Sequence, residues 1–221
     1  MLRGLFVTGT GTDVGKTVIS AALLHRYRGE LPLRYWKPIQ TGIEQDDDTT
    51  TVRRLGACRD EELWCDGVRL KRPVSPHMAA VLEGTTIEIS DVLSRIANAH
   101  PNTRWIVEGA GGVLVPINNS QLMIDLIQQL QLPTVVVARA ELGTINHTLL
   151  TLEALRSRGI EIAGVVMSGV PHEGNREAIE RYGNVKVLGE LPHRRELSPE
   201  TLKAWAVSQL DPNGRLGSFL Q

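Results

Sequence analysis

Lys16 and Thr17 open an apolar helical stretch directly after a turn that carries Gly9, Gly11 and Gly15. A strand, a tight glycine turn and a helix start ending in Gly-Lys-Thr form a phosphate-binding context. Unpaired amides of the first helical turn point at the loop, and the helix dipole favours an anion there. Lys16 supplies a cation for β- and γ-phosphates, and the Thr17 hydroxyl is a ligand type for Mg²⁺. The usual pattern, G-x-x-x-x-G-K-S/T, would place its first glycine where this chain has Thr10. Five residues instead of four separate Gly9 from Gly15, so the ring of amides is enlarged or reshaped. A glycine-rich turn with an exposed lysine is the plainer alternative, and phosphate binding alone leaves open what happens to the phosphate.

Other chemically able residues stand just after apolar runs. Lys37 closes one such run, and Pro38 fixes the turn behind it. Its ammonium either joins the mouth of the phosphate loop or snorkels at the surface. Asp46, Asp47 and Asp48 open a helix, where carboxylates suit the dipole and Asp48 is a candidate N-cap. Glu108 ends a buried strand before Gly109, Ala110, Gly111 and Gly112, glycines that let backbone approach a ligand closely. A carboxylate at the tip of such a sheet is the usual partner of Mg²⁺, which takes few carboxylates plus phosphate oxygens and water. Gly143-Thr144 reads as a loop and cap, and His77 in Ser75-Pro76-His77 is a lone histidine, a type more often structural than catalytic.

These residues need strands that end at one rim. Strand-like runs are Leu2–Thr8, Arg34–Ile39, Arg104–Glu108, Thr134–Ala138, Ile162–Met167 and Val185–Leu188. Several are continuously apolar, as strands buried on both faces of a parallel sheet should be. Helical stretches alternate with them: Lys16–Arg28, Ser90–Ala99, Met123–Leu130, Thr144–Arg158 and Gly174–Tyr182. The order predicts an α/β fold, a doubly wound, mostly parallel sheet with helices on both faces, of the P-loop NTPase type. Ligands of such sheets gather at the carboxyl ends of the strands.

The 221 residues fit one domain, residues 1–221. Hydrophobic residues make up 42%, charged residues 22%, and the formal net charge is −1. That balance argues against nucleic acid or an anionic membrane as partner, since both demand an excess of Lys and Arg. Leu5–Val7, the longest apolar run near the start, is too short for a secretory or spanning segment. Cys58 and Cys65 lack metal-binding spacing and read as reduced thiols, so a cytoplasmic location is expected.

Taken together the motifs resemble the dethiobiotin synthetase family. Its loop G-T-D-T-x-V-G-K-T has the same enlargement, and Gly9–Thr17 departs from it only where Gly11 replaces the first Asp. Lys37-Pro38 with Thr41-Gly42 matches K-P-x-x-S/T-G, Val107–Gly112 matches V-E-G-A-G-G, and Ser75-Pro76-His77 matches P-x-S-P-H. Leu142–Thr151 matches L-G-x-I-N-H-x-x-L-T, and the resemblance runs from Leu5 to about Glu200.

The resemblance implies an ATP- and Mg²⁺-dependent ligase that carboxylates 7,8-diaminopelargonate with CO₂ or bicarbonate, phosphorylates the carbamate and closes a ureido ring. It assigns Lys37, Lys16 and Thr12 to catalysis. It assigns Thr17, Asp48 and Glu108 to the metal, Asp48 being preferred to Asp47 by its distance from Val52 and Leu55. The nucleotide falls to Asp13, Val14, Gly15, Lys16, Thr17, Val18, Glu108, Gly109, Ala110 and Gly111, and to Ser168, Gly169, Pro192, His193 and Arg194. Substrate falls to Lys37 and Thr41, and its carboxylate to Gly143, Thr144, Ile145 and Asn146 across a homodimer interface. Ser168-Gly169 departs from the Asn-Asp pair by which the family reads adenine, which leaves base preference open. A nucleotide-switched partition or positioning ATPase is the alternative, but its signature lysine is missing from Thr10-Gly11-Thr12, and no basic face or amphipathic anchor is visible. A ring-amidating relative would carry an added glutaminase domain, for which the length leaves no room.

Overall fold

The computed structural model describes residues 2–98, 100–193 and 196–220. In chain order, β1 (Arg3–Gly9) leads into α1 (Lys16–Tyr27), β2 (Leu33–Trp36), β3 (Ile39–Gln40) and α2 (Asp48–Leu55). Then come β4 (Leu63–Trp64), β5 (Val68–Arg69), α3 (Pro76–Leu82) and α4 (Ile89–Ser94). They are followed by β6 (Arg104–Gly112), α5 (Met123–Leu130), β7 (Thr134–Arg139), α6 (Thr144–Ser157) and β8 (Ile162–Ser168). The remaining elements are α7 (Glu173–Gly183), β9 (Val187–Leu191), α8 (Pro199–Gln209) and α9 (Arg215–Leu220).

Successive side chains of a strand face opposite sides, so a continuously apolar strand feeds two cores. In β1, Leu5 and Val7 enter one core and Phe6 the other. In β6, Ile106 joins Leu5, whereas Trp105 and Val107 join Phe6; β7 splits Val135 and Val137 from Val136 and Ala138 in the same way. Helices α1, α2, α8 and α9 close the first core, and α3 to α7 close the second. The main sheet has the order β4-β2-β6-β1-β7-β8-β9, every pair of it parallel among the described residues, and β3 pairs with β5 in a separate parallel ribbon. Strand order reverses direction around β1, which lies between β6 and β7, and such a switch point is where a doubly wound sheet opens a crevice. At the far edge, Trp205 Nε1 donates to the Glu190 carbonyl, Asp211 N to the Leu188 carbonyl, and Val187 N to the Glu180 carboxylate. Those contacts cover an edge strand that would otherwise offer itself to another chain.

Several expected boundaries move. The run Arg34–Ile39 breaks after Trp36, because Pro38 has no amide for the ladder and Ile39 crosses to the small ribbon. The strand expected over Arg104–Glu108 continues to Gly112, with a register shift that sets Gly9 opposite Gly112. The helix expected over Ser90–Ala99 ends at Ser94 and gives way to turns, Ala99 lying outside the described residues. The last strand is Val187–Leu191, not Val185–Leu188, since Val185 and Lys186 lead out of α7.

Candidate active site at the phosphate loop

The loop after β1 is pinned to the sheet where Thr10 N donates to the Val137 carbonyl at 3.0 Å. It closes through left-handed backbone at Asp13 (φ 56°) and Gly15 (φ 101°). Gly15 caps α1 with no side-chain bond and no acidic residue follows in the first turn, so the leading amides are left for a ligand. A Cβ on Gly15 would also come within 3.1 Å of the Ser168 hydroxyl, so the end of β8 closes against the loop. Lys16 curls back, its Nζ donating to the Gly11 carbonyl at 2.8 Å. Burial, then the nearby Lys37 ammonium, push Lys16 down to about 8. Val14 is buried in the core beneath the loop and Val18 packs against it, while Thr12 is exposed.

Strand register assembles the charged cluster behind the loop. Tyr35 lies opposite Ile106 and Trp36 opposite Val107, so the next residue, Lys37, comes level with Glu108. Tyr35, Lys37 and Glu108 therefore share one face, and Val7 pairs with Glu108 from the other side. Glu108 is fully buried, and three groups reach it: Lys37 Nζ at 2.8 Å and Thr17 Oγ1 at 3.0 Å on Oε1, and Tyr35 Oη at 3.0 Å on Oε2. Asp48 completes the group, with Oδ1 2.8 Å from Thr17 Oγ1 and Oδ2 2.5 Å from Lys37 Nζ. The Thr17 hydroxyl has one proton and so serves one carboxylate at a time. Lys37 donates its third proton to the Gly109 carbonyl at 3.0 Å, and all three of its donors are used.

The electrostatics follow from that packing. Burial pulls Lys37 down, but Glu108 and Asp48 outweigh it and hold the ammonium above its ordinary value. Burial raises Asp48, and the Lys37 charge outweighs it, so this carboxylate sits below its ordinary range. Burial first, and then the Glu108 charge, raise the Tyr35 phenol far above its ordinary value, so it is a proton donor at any physiological pH. Asp47 takes the structural role that the sequence had offered to Asp48. It is the cap of α2, accepting from Thr49 N at 2.9 Å and Thr50 N at 3.3 Å, and it pairs with Arg69.

A cleft of about 460 Å³ opens over these groups, lined among others by Thr12, Lys16, Lys37, Thr41, Ala110 and Gly111. Other expected positions lie apart from it. Gly143 caps α6 in left-handed conformation (φ 92°), and Thr144 lines a second cleft of about 290 Å³ with Thr10, Arg139 and His147, which meets the main one at Thr12. Ile145 is half-buried, whereas Asn146 and Leu142 face outward. Ser168 ends β8, Gly169 follows it, and Pro192 and His193 follow β9, all outside the main cleft; Gly169 N donates to the Leu191 carbonyl, and Arg194 lies outside the described residues. His77 is engaged by the Ser75 hydroxyl at 3.0 Å from Nδ1.

Mg²⁺ fits the donor set at the loop. Among the described residues no group of three or more His, Cys, Asp or Glu forms an all-protein metal cage. Two carboxylates converging on one threonine hydroxyl suit a hard ion that takes its remaining oxygens from phosphates and water.

Residues 3–201 match the family model described as an AAA domain. An ATP-dependent dethiobiotin synthetase of Paramagnetospirillum magneticum is 49% identical over 190 residues, 86% of this chain and 88% of that one. The enzyme of that name from Brucella ovis is 44% identical over 198 residues, 90% of each chain. The chain belongs to the dethiobiotin synthetase family. A ParA family ATPase from Chlorobium tepidum shares the fold, with a TM-score of 0.56 at 11% identity, covering 100% of this chain and 98% of that one.

Against the dethiobiotin synthetase motifs, three residues of the site were missed. Tyr35 lies within the expected strand run Arg34–Ile39, and its alternation with Lys37 was the available signal. Gln40 lines the cleft and donates to the Asp46 carbonyl at 3.3 Å, steadying the segment before Asp48. Arg139, at the end of β7, donates to the Asp13 carbonyl at 3.0 Å and braces the enlarged loop. Its position just after a strand was a signal that no motif covered.

Proposed function

We propose that the cleft joins a diamine, CO₂ and ATP in the synthesis of dethiobiotin. The carrying observation is the convergence of Lys37, Thr17, Asp48 and Glu108 beneath the phosphate loop and beside the cleft. One amine of 7,8-diaminopelargonate adds to CO₂ and loses a proton, forming a carbamate. A carbamate oxygen attacks the γ-phosphorus, ADP leaves, and the second amine displaces phosphate as the ring closes.

The charges explain why these residues are needed. Carbamate and triphosphate are both anions, and bringing them together in a low-dielectric cleft is unfavourable without cations. Two ammonium groups and two carboxylates cancel within the protein, so a triphosphate calls for further positive charge. Thr17, Asp48 and Glu108 would hold Mg²⁺, which when bound screens the β- and γ-phosphates. Lys16 and the α1 amides hold the phosphates, Thr12 faces them from the loop, and Thr41 and Lys37 orient the diamine. No side chain is covalently modified; positioning is worth on the order of 7–11 kcal/mol in such reactions.

The substrate carboxylate is taken by Gly143–Asn146 of a second copy. Two features support that reading: the start of α6 lies off the cleft of its own chain, and Leu142, Leu150, Met78, Val81 and Leu82 are exposed apolar residues. Sedimentation at micromolar concentration should give a dimer. Phosphate release measured with diaminopelargonate and bicarbonate each present or omitted tests the chemistry. Release that needs both supports the synthetase; release stimulated by DNA or lipid, with no ring product, would replace it by the nucleotide switch.

A further inference from the structure

We propose that Tyr35 is a positioning residue for this reaction: its phenol fixes which oxygen of Glu108 is presented to the metal and to Lys37. The inference rests on the placement of Glu108 among the metal-holding groups. A glutamate side chain ends in a torsion with a broad energy profile, so a buried carboxylate keeps one orientation only if its oxygens meet different partners. Glu108 meets that condition. Its Oε2 accepts from Tyr35 on the core side, while Oε1 faces Thr17 and Lys37 on the cleft side.

The geometry makes the division rigid. Tyr35 is fully buried on β2, and its ring packs in the core that includes Leu33, Leu63 and Ile106. The strand register holds it one step short of Glu108 on the same face. A ring so fixed delivers its hydroxyl to one place. Without the hydroxyl, Oε2 would lose its donor inside a dry core, and the carboxylate would turn to share the cleft-side donors. The oxygen presented to Thr17 and Asp48 would then no longer be defined. Outer partners of this kind commonly change metal affinity by 10–100-fold when removed.

The test is metal binding itself. Mn²⁺ is titrated into the full chain with saturating ADP, read by the electron paramagnetic resonance of free Mn²⁺, for wild type, Tyr35→Phe, Glu108→Gln and Tyr27→Phe. Tyr35→Phe should weaken Mn²⁺ about tenfold, raise the Mg²⁺ concentration giving half-maximal turnover by a similar factor, and largely recover kcat at saturating Mg²⁺. Glu108→Gln should weaken it more, and Tyr27→Phe, a buried tyrosine at the other end of α1, should leave it unmoved. Tyr35→Met also lacks the hydroxyl and offers a smaller, flexible apolar side chain that adapts to the space, and it serves as a second variant should the first fail to fold. Tyr35 variants that bind Mn²⁺ like wild type, beside a weakened Glu108→Gln, would overturn the role of Tyr35 and leave the metal site standing. Unchanged binding by Glu108→Gln would instead remove the metal placement on which the inference rests.

Discussion

The two ends of α1 use one helix dipole in opposite ways. At the first turn there is no capping side chain and no carboxylate in sequence, and the charges around it are Lys16 of α1 itself, Lys37 just after β2, Asp48 of α2 and Glu108 of β6. Those groups satisfy one another, but the amides they surround face a cleft. At the last turn and cap, His25, Tyr27 and Arg28 all end on the protein. His25 Nε2 donates to the Leu55 carbonyl at 2.8 Å, Arg28 to the Leu24 and Ala57 carbonyls, and Tyr27 to Asp211 at 2.5 Å. Asp211 is itself held by the amides of Arg215 and Leu216 at the start of α9. The positive end is left for an anion that arrives from outside, whereas the negative end is finished during folding.

The largest break in that contrast comes from Lys37→Ala. It strips two carboxylates of their internal cation and should destabilise the ligand-free protein by about 3–5 kcal/mol. Ring closure should fall below detection even where Mg²⁺ and ATP restore the fold, with only modest loss of nucleotide affinity. Denaturant unfolding with and without Mg-ATP, alongside product assay, separates these effects. Normal turnover by the folded variant would disprove the role given to Lys37.

Asp211→Ala is the matching break at the other end. It removes the carboxylate at the start of α9 and leaves the Tyr27 hydroxyl without a partner, for a loss on the order of 3 kcal/mol. Activity per folded molecule should not change. A large fall in kcat with intact stability would mean that the two ends communicate, and the contrast would be wrong. Tyr27→Phe sharpens it further. About 1 kcal/mol should be lost at one end of α1, while Tyr35→Phe at the other end moves the metal titration.

How far the sequence reveals each end depends on how local the contacts are. Gly9–Thr17 and Glu108–Gly112 are contiguous stretches that carry whole motifs, so their place side by side at the rim could be read directly. The choice between Asp47 and Asp48 could not, because either carboxylate suits a helix start. What separates them is that Asp47 caps α2 and so leaves the next side chain turned towards Thr17. Tyr35 was hidden for a stronger reason: its partner lies 73 residues away, and only the β2–β6 register joins them. At the finished end, α8 and α9 escaped notice. The apolar residues of α8 surround it too evenly for a clear stripe, although Ser198-Pro199 is a good start signal, and the six residues of α9 depend on Asp211, which sits outside the helix. The order of strands and helices was legible because continuous apolar runs have few other uses.

The smallest expected effect is a pH dependence confined to the finished end. Burial, aided by Arg28 and opposed by the bond to Leu55, holds His25 below the ordinary histidine value of 6.5. The unfolded chain therefore takes up a proton at a pH where the folded one still resists it. Folding is favoured in full above about 6.5, and this contribution is lost as the pH falls through the lowered folded value. His25→Gln keeps an amide donor for the Leu55 carbonyl and removes the titration. Wild type should lose more stability than this variant between pH 7.5 and 5.5 in denaturant unfolding. The rim carboxylate behaves differently: Asp48 is held ionised by Lys37, so lowering the pH over that window should leave its charge in place. Equal losses in wild type and His25→Gln would place the acid sensitivity elsewhere than His25 and remove this distinction between the two ends.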